Sequence, residues 1–235
     1  TSGIGVISDY EDQPLLITSH LGTYAIATVC CIRNLDELAK TLFAVRRGHF
    51  SETSGQGLNP TEMIAALIDT QASIEEGLLH VQESVEGSCS VLILTEKGEL
   101  FAARDRYGRT PVILGRKPGA MAAAMESCSF PNLGYQVDRE LGPGEIVCLH
   151  PDGDEVRALP RPELHICAFF WVYFGFPASS YEGINVEAAR YRSGEALARS
   201  SPVEADLVAG VPDSGVGHAL GFALGAGIPY KRPFV

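Results

Sequence analysis

The sequence predicts an α+β unit followed by the beginning of an α/β unit. Helical periodicity dominates residues 35–85, short strands joined by tight turns follow from residue 88, and a strand–helix–strand pattern ends the sequence. A proline-rich segment around Pro160 separates the short strands from that last pattern. We therefore predict two domains, one over residues 1–160 and one over residues 161–235.

The predicted helices of the first domain follow capping residues. Asn59-Pro60-Thr61-Glu62 combines a capping side chain, proline at the first helical position and an acidic first turn. A third helix is expected over residues 74–85. The earliest helix follows Asn34, a candidate N-cap, and is predicted from apolar residues at helical spacing: Leu35, Leu38, Leu42 and Val45.

The predicted strands are short apolar or alternating runs bounded by turn residues. In the first domain they cover residues 4–8, 24–29, 90–95, 100–104, 111–115, 120–126, 145–149 and 155–159. In the second domain a helix is expected over residues 186–200. It precedes a strand over 206–211, a helix over 216–225 and a strand over 228–234, which together indicate a parallel βαβ unit.

Composition argues against several classes of partner. The chain carries 18 basic and 29 acidic residues, a net charge of -11, and no basic tract that would neutralise a phosphate backbone, so nucleic acid is not expected. The apolar runs are too short to span a bilayer, so no membrane is expected. The six cysteines form no C-x-x-C pair and no secretory signal is present, which predicts a cytoplasmic protein.

The turn Val211-Pro212-Asp213-Ser214-Gly215 is the first candidate site. It lies where a parallel strand ends and a helix begins, a position that favours anions because backbone N–H groups and the helix dipole point there. Asp213 and Ser214 offer oxygens to a hydrated divalent cation or to ribose hydroxyls, and Gly215 lets backbone approach a phosphate. The alternative is an ordinary turn in which Asp213 or Ser214 caps the helix.

Charged residues elsewhere also allow two interpretations. Lys231 and Arg232 on the following strand would suit either a phosphate clamp or solvated charges at a sheet edge. The segment Arg104-Asp105-Arg106-Tyr107-Gly108-Arg109 is interpreted as a surface ion-pair network. The histidines lack the spacing of zinc ligands, so no histidine-based zinc site is expected.

Six motifs follow one another over nearly the whole chain. They are Gln13-Pro14, Arg104-Asp105 to Arg109-Thr110-Pro111, Met125-Glu126-Ser127-Cys128, Gly142-Pro143-Gly144-Glu145, Ser179-Ser180-Tyr181-Glu182-Gly183 and Val211 to Gly215. Taken in this order, and together with Gly227-Ile228-Pro229-Tyr230, they resemble glutamine-dependent amidophosphoribosyltransferase.

The resemblance implies an incomplete αββα sandwich of the N-terminal-nucleophile hydrolase type, followed by the start of a type I phosphoribosyltransferase domain. In that family glutamine is hydrolysed and its ammonia displaces pyrophosphate from phosphoribosyl pyrophosphate, which begins purine synthesis. The family also implies a homo-oligomer. By the resemblance, Asp213, Ser214 and Gly215 contact the substrate, Ser214 contacts Mg²⁺, and Cys167 is the first ligand of the 4Fe-4S cluster that some members hold.

The sequence departs from the family at the glutaminase site. The family's nucleophile is an N-terminal cysteine, and this sequence joins the pattern downstream of it, so we assign no catalytic residue and expect a fragment truncated at both ends. Val29-Cys30-Cys31 stands in place of an Asn-Gly-Asn oxyanion segment, and Pro60 in place of an aspartate that holds the glutamine ammonium. The alternative is therefore a non-catalytic or regulatory relative with a degenerate glutaminase domain.

Overall fold

The structure, a computed structural model, describes residues 2–7, 12–45, 53–54 and 57–233. The chain forms two compact units, the first from residues 1–125 and 135–166 and the second from residues 126–134 and 167–235. Among the described helices, none is long and apolar enough to cross a membrane. The assignment of the two units to two enzyme domains stays a prediction.

The described residues of the first unit form three helices: α1 (Leu35–Val45), α2 (Pro60–Ile68) and α3 (Ile74–Ser84). Its strands are β1 (Leu15–Ser19), β2 (Gly22–Ile32), β3 (Thr53–Ser54), β4 (Gly57–Leu58), β5 (Gly87–Thr95), β6 (Leu100–Ala103), β7 (Ile113–Lys117), β8 (Ala120–Ala124), β9 (Gln136–Glu140), β10 (Ile146–His150) and β11 (Gly153–Ala158). A six-stranded antiparallel sheet has the order β1-β2-β5-β6-β10-β11, and a three-stranded sheet has the order β8-β7-β9.

Strand β10 shows how the first unit is layered. Ile146 and Cys148 pack in the core formed with the three helices, whereas Val147 and Leu149 pack in a second core with residues of β7. Successive side chains of a strand point to opposite faces, so the large sheet is buried on both sides. The first unit is therefore layered as helices, large sheet and small sheet.

The helix predictions for this unit are confirmed. The Asn59 side chain caps α2, since its Oδ1 accepts hydrogen bonds from the backbone of Thr61 (2.8 Å) and Glu62 (3.4 Å). Asn34 precedes α1 as expected, but its side chain forms a tertiary link. Its Oδ1 accepts from Glu86 N (3.0 Å) and its Nδ2 donates to Ser84 O (2.9 Å).

Several strand predictions need correction. Residues 4–7 form no strand, and residue 8 lies outside the described residues. Strands β1 and β9 were not predicted. Strand β9 reads Gln-Val-Asp-Arg-Glu and is largely exposed, so it lacks the alternation that a half-buried strand shows.

The segment from Arg104 was predicted to be a surface ion-pair network, and for its first two residues this is wrong. Arg104 is 1% exposed and donates to the carbonyls of Thr110 (3.2 Å), Gly108 (2.8 Å) and Leu141. Asp105 is also buried and accepts from Thr110 N (2.9 Å). Backbone partners satisfy both charges, which is what allows their burial. Arg106 does form a surface ion pair.

The second unit contains α4 (Ser129–Asn132), a π-helical turn (Phe170–Phe174), the hairpin strands β12 (Ser180–Tyr181) and β13 (Ile184–Asn185), α5 (Val186–Ser200) and α6 (Ser214–Ala226). Both long helices were predicted. The two predicted parallel strands are reduced to one parallel bridge, between Val208 and Tyr230. Its bonds are Val208 N to Pro229 O (2.9 Å) and Lys231 N to Val208 O (2.9 Å).

Helices α5 and α6 touch at their backbones. A Cβ added to Gly194 would meet His218 O and Phe222 N, and one added to Gly221 would meet Tyr191 O. Two helices approach this closely only where neither has a side chain at the crossing. The small-residue sequence of α6 therefore serves packing along this helix pair.

Candidate functional site

The turn at residues 211–215 leads directly into α6. Asp213 occupies the N-cap position without a side-chain capping bond, and Ser214 is the first helical residue. Gly215 N donates to Val211 O (3.1 Å) and Val216 N donates to Asp213 O (3.2 Å), so the turn is held by its own backbone. Asp213 thus occupies the N-cap position that the alternative interpretation expected, but its carboxylate makes no capping hydrogen bond.

Asp213 and Ser214 line a cleft of about 690 Å³ within the second unit. Residues far apart in sequence supply the rest of the wall. They include Glu126 and Cys128 before α4, the aromatic residues of segment 173–176, Glu187 and Arg190 of α5, and Arg232. The cleft therefore has an apolar wall formed by aromatic side chains, with acidic and basic side chains around it.

The two arginines of the cleft differ in what they bind. Arg190 is buried, and its guanidinium donates to Trp171 O (2.9 Å), Tyr173 O (3.0 Å) and Gly175 O (2.8 Å). It holds the π-helical turn in place and has few donors left for a ligand. Arg232 is exposed and makes no ion pair within the described part of the chain, so it is the basic group available to an anion.

The segment before α4 is bonded to the segment that precedes β12. Glu126 accepts a hydrogen bond from Ser179 Oγ, and Ser179 Oγ accepts one from Cys128 N (3.3 Å). Ser180 N donates to Ser127 Oγ (2.9 Å). Two motifs of the family resemblance thus meet beside the cleft, although the sequence pattern alone placed Glu126 at the end of a strand.

Other predicted site residues lie away from the cleft. Gly215 does not line it, and Lys231 takes part in the parallel bridge through its backbone. Cys167 is half-buried. Among the described residues, no group of three or more His, Cys, Asp or Glu side chains could hold a metal ion. The role predicted for Cys167 stays a prediction.

Glu187 and Arg190 line the cleft but were not predicted as site residues. They are three residues apart on α5, which places both on one helix face, and this spacing was the signal in the sequence that could have indicated them. What the sequence could not indicate is that this face meets the start of α6. A Cβ added to Gly217 would meet Glu187 and Arg190, so a glycine in the first turn of α6 is needed for that contact.

The positions that depart from the family's glutaminase site lie in regular structure. Val29, Cys30 and Cys31 are residues of β2, and Pro60 begins α2. Beside them is a buried pair of hydroxyls, with 2.7 Å between Thr28 Oγ1 and Thr61 Oγ1. In this region the end of β2 packs against the start of α2. We assign no catalytic nucleophile and no general base to the described residues there.

Comparisons with known proteins identify relatives of the chain. Residues 3–131 match the family described as glutamine amidotransferase domain. The chain is 34% identical over 227 residues to the amidophosphoribosyltransferase of Bacillus subtilis (strain 168), which covers 94% of this chain and 46% of that protein. It is 32% identical over 263 residues to the chloroplastic amidophosphoribosyltransferase of Glycine max, covering 100% and 46% respectively.

Solved structures agree with the sequence relatives. The glutamine phosphoribosylpyrophosphate amidotransferase from B. subtilis complexed with ADP and GMP superposes with a TM-score of 0.81 at 33% identity, over 94% of this chain and 48% of that one. A structure described as the allosteric regulatory enzyme of purine biosynthesis gives a TM-score of 0.82 at 33% identity, over 94% and 47%. The first unit thus has the N-terminal-nucleophile hydrolase fold that was expected. The chain spans less than half the length of these relatives.

Proposed function

Because the chain belongs to the glutamine amidotransferase family, we propose that it is part of an amidophosphoribosyltransferase. The reaction of the whole enzyme would convert glutamine and phosphoribosyl pyrophosphate to phosphoribosylamine, glutamate and pyrophosphate. The observation that carries the proposal is the extent of the similarity. The family match ends at residue 131, whereas likeness to amidophosphoribosyltransferases covers 94% of the chain and so includes the second unit. Relatives named as enzymes do not favour the non-catalytic alternative.

We propose that the second unit begins the phosphoribosyltransferase domain and that its cleft binds the pyrophosphate side of phosphoribosyl pyrophosphate. Three features support this role. Backbone N–H groups at the start of a 13-residue helix favour an anion, and Arg232 adds a positive charge on the same cleft. The Asp213 carboxylate and the Ser214 hydroxyl supply oxygens for the cation that accompanies a pyrophosphate.

The oxygens offered by Asp213 and Ser214 suit Mg²⁺. Mg²⁺ is usually held by one or two protein oxygens, with water and substrate phosphates completing its shell, and Asp213 with Ser214 meets that need. A four-iron cluster takes four cysteine thiolates, and by the family resemblance Cys167 would supply the first of them. Mg²⁺ is therefore the proposed cofactor. A cytoplasmic setting and a homo-oligomer belong to the same proposal, from the resemblance.

The proposal is tested by calorimetric titration of the chain with phosphoribosyl pyrophosphate in the presence of Mg²⁺. Binding is expected, and Asp213→Asn should weaken it about 10-fold, as expected when one charged partner is lost. Asp206→Asn is the matched control, since Asp206 is an exposed aspartate of the same unit that does not line the cleft. Equal loss in both variants, or no binding by the wild-type chain, would remove the cleft from the proposal.

A second experiment concerns turnover. We expect no pyrophosphate release when the chain is incubated with phosphoribosyl pyrophosphate, Mg²⁺ and ammonia. The chain spans less than half the length of its relatives, and the cleft is lined by described residues of one unit alone. Pyrophosphate release faster than in the absence of protein would show that the described residues suffice for transfer.

A further inference from the structure

Two cysteines of the first unit face each other across neighbouring strands. Strands β2 and β5 pair antiparallel without a register shift from Tyr24 with Thr95 to Ile32 with Gly87, and in this register Cys30 lies directly opposite Cys89. Neither cysteine forms a disulfide in this structure. This pair lies outside the cleft of the second unit and plays no part in the proposed function.

The type of pairing brings the two side chains close. Arg33 N donates to Glu86 O (2.8 Å) and Glu96 N donates to Thr23 O (2.9 Å), so the opposed pairs Arg33/Glu86 and Thr23/Glu96, each one position beyond an end of this ladder, are hydrogen-bonded. Hydrogen-bonded and non-hydrogen-bonded pairs alternate along an antiparallel ladder. Counting inward from Arg33/Glu86 or from Thr23/Glu96 makes Cys30 and Cys89 a non-hydrogen-bonded pair. Such pairs have Cα atoms about 4.5 Å apart, inside the range of about 4.4–6.8 Å that disulfides span.

Both thiols lie on the helix-facing side of the large sheet. Cys89 belongs to the core between this sheet and the three helices, and Cys30 packs against the same core. Cys30 Sγ is 3.6 Å from Thr28 Oγ1, its neighbour on that face. Cys31, the next residue, is exposed and belongs to the opposite face.

The two members of the pair differ in accessibility. Cys89 is 5% exposed, whereas Cys30 is half-buried near the end of its strand. A reagent in solution therefore reaches Cys30 first, and the sulfur nearest to the modified Cys30 across the ladder is that of Cys89. This is the arrangement of an attacking thiol and a resolving thiol.

We propose that Cys30 and Cys89 form a redox pair that a small-molecule disulfide, such as oxidised glutathione, converts to an intramolecular disulfide. The Cys30 thiolate attacks one sulfur of the reagent, which breaks its S–S bond and releases one thiol. Cys89 then loses its proton and attacks Cys30 Sγ, and the second thiol leaves. Two protein thiols are oxidised, one reagent disulfide is reduced to two thiols, and a reducing thiol in excess reverses both steps.

The disulfide would close a loop that holds α1, α2 and α3. Residues 30 and 89 border the segment that contains these helices, and cross-links that close long loops restrict the unfolded chain most. We therefore expect the oxidised protein to unfold at a higher temperature than the reduced protein. Oxidation would also fix the strand end beside the Thr28 and Thr61 hydroxyl pair.

The test is to incubate the whole chain with oxidised glutathione, block the remaining thiols by alkylation, and map disulfides by peptide mass spectrometry. The expected product is a peptide pair joined through Cys30 and Cys89, which dithiothreitol separates. In Cys89→Ser, Cys30 should instead retain glutathione, because its resolving partner is gone. Cys31→Ser is the matched control and should give the same joined peptides as the wild-type chain.

Three results would overturn the proposal. One is a wild-type chain in which Cys30 keeps glutathione while Cys89 stays reduced. Another is joining of Cys30 or Cys89 to a different cysteine as the main product. The third is loss of the joined peptides in Cys31→Ser. The decisive measurement uses the wild-type chain, so it does not depend on whether a substituted core cysteine folds.

Discussion

The helix contact in the second unit gives a sharp prediction, the effect of Gly221→Ala. A Cβ at this position would meet three backbone atoms of Tyr191, its carbonyl oxygen, carbonyl carbon and Cα. Backbone cannot rotate away as a flexible side chain can, so the helices must separate. Overpacking of this kind costs about 1–3 kcal/mol, and the higher helix propensity of alanine returns at most about 1 kcal/mol. Because the clash is with backbone, the cost lies in the upper part of this range, about 2–3 kcal/mol, and we expect a net loss of about 1–2 kcal/mol in the free energy of unfolding.

Urea unfolding followed by tryptophan fluorescence measures this loss. Trp171 is the single tryptophan of the chain and lies in the second unit, where α5 contacts it through a bond from Arg190 to Trp171 O. A loss of that size lowers the urea midpoint by roughly 0.5–1 M for typical m-values. Gly215→Ala is the matched control, because its Cβ would lie 3.7 Å from Val211, an ordinary contact. If Gly221→Ala unfolds at the same urea concentration as the wild-type chain or Gly215→Ala, the close backbone contact is refuted.

Two further predictions concern the first unit. Arg104→Met should lower its free energy of unfolding by about 3 kcal/mol or more, because buried carbonyls lose a charged donor. Arg106→Met removes a surface ion pair with Glu83 at 2.7 Å and should cost less than about 1 kcal/mol. Similar losses for the two variants in calorimetry would contradict the assignment of Arg104 as a buried structural residue. Burial, followed by the charge of Asp69 beside it, raises the pKa of Tyr24. The stability that this proton contributes is fully present below about pH 10, where the unfolded tyrosine is also protonated, and is lost as pH rises above that value. In thermal unfolding, the free energy of unfolding of the wild-type chain should therefore decline as pH rises above about 10. In Tyr24→Phe this decline should be shallower by up to about 1.4 kcal/mol per pH unit. An equal slope in the two proteins would contradict the prediction.

Elements with complete local signals were predictable from the sequence. Helix α2 begins where Asn59, Pro60 and the acidic Glu62 indicate, because each of these residues acts within one helical turn. The two long helices of the second unit were likewise predictable. Strand β9 was not, since its polar sequence pairs with β7 at an exposed edge, where no alternation is required.

Features that depend on distant partners could not be predicted. Arg104 has the appearance of a surface charge in sequence, and its burial depends on the carbonyl of Leu141, 37 residues away. The cleft brings Glu126 and Arg190 beside Asp213, and no local pattern links these three residues. Parallel pairing of the last strands was predicted, but the length of a ladder depends on neighbouring strands, and between these segments the described residues make one bridge.

The central claim is that the cleft at the start of α6 binds the pyrophosphate side of phosphoribosyl pyrophosphate. Its most direct test is the change in amide chemical shifts when phosphoribosyl pyrophosphate and Mg²⁺ are added to the isotope-labelled chain. We predict that the largest shifts occur at Ser214, Gly215 and Val216, with a further shift at Arg232. Largest shifts at residues away from both the cleft and the start of α6, or no shifts at the start of α6, would contradict it.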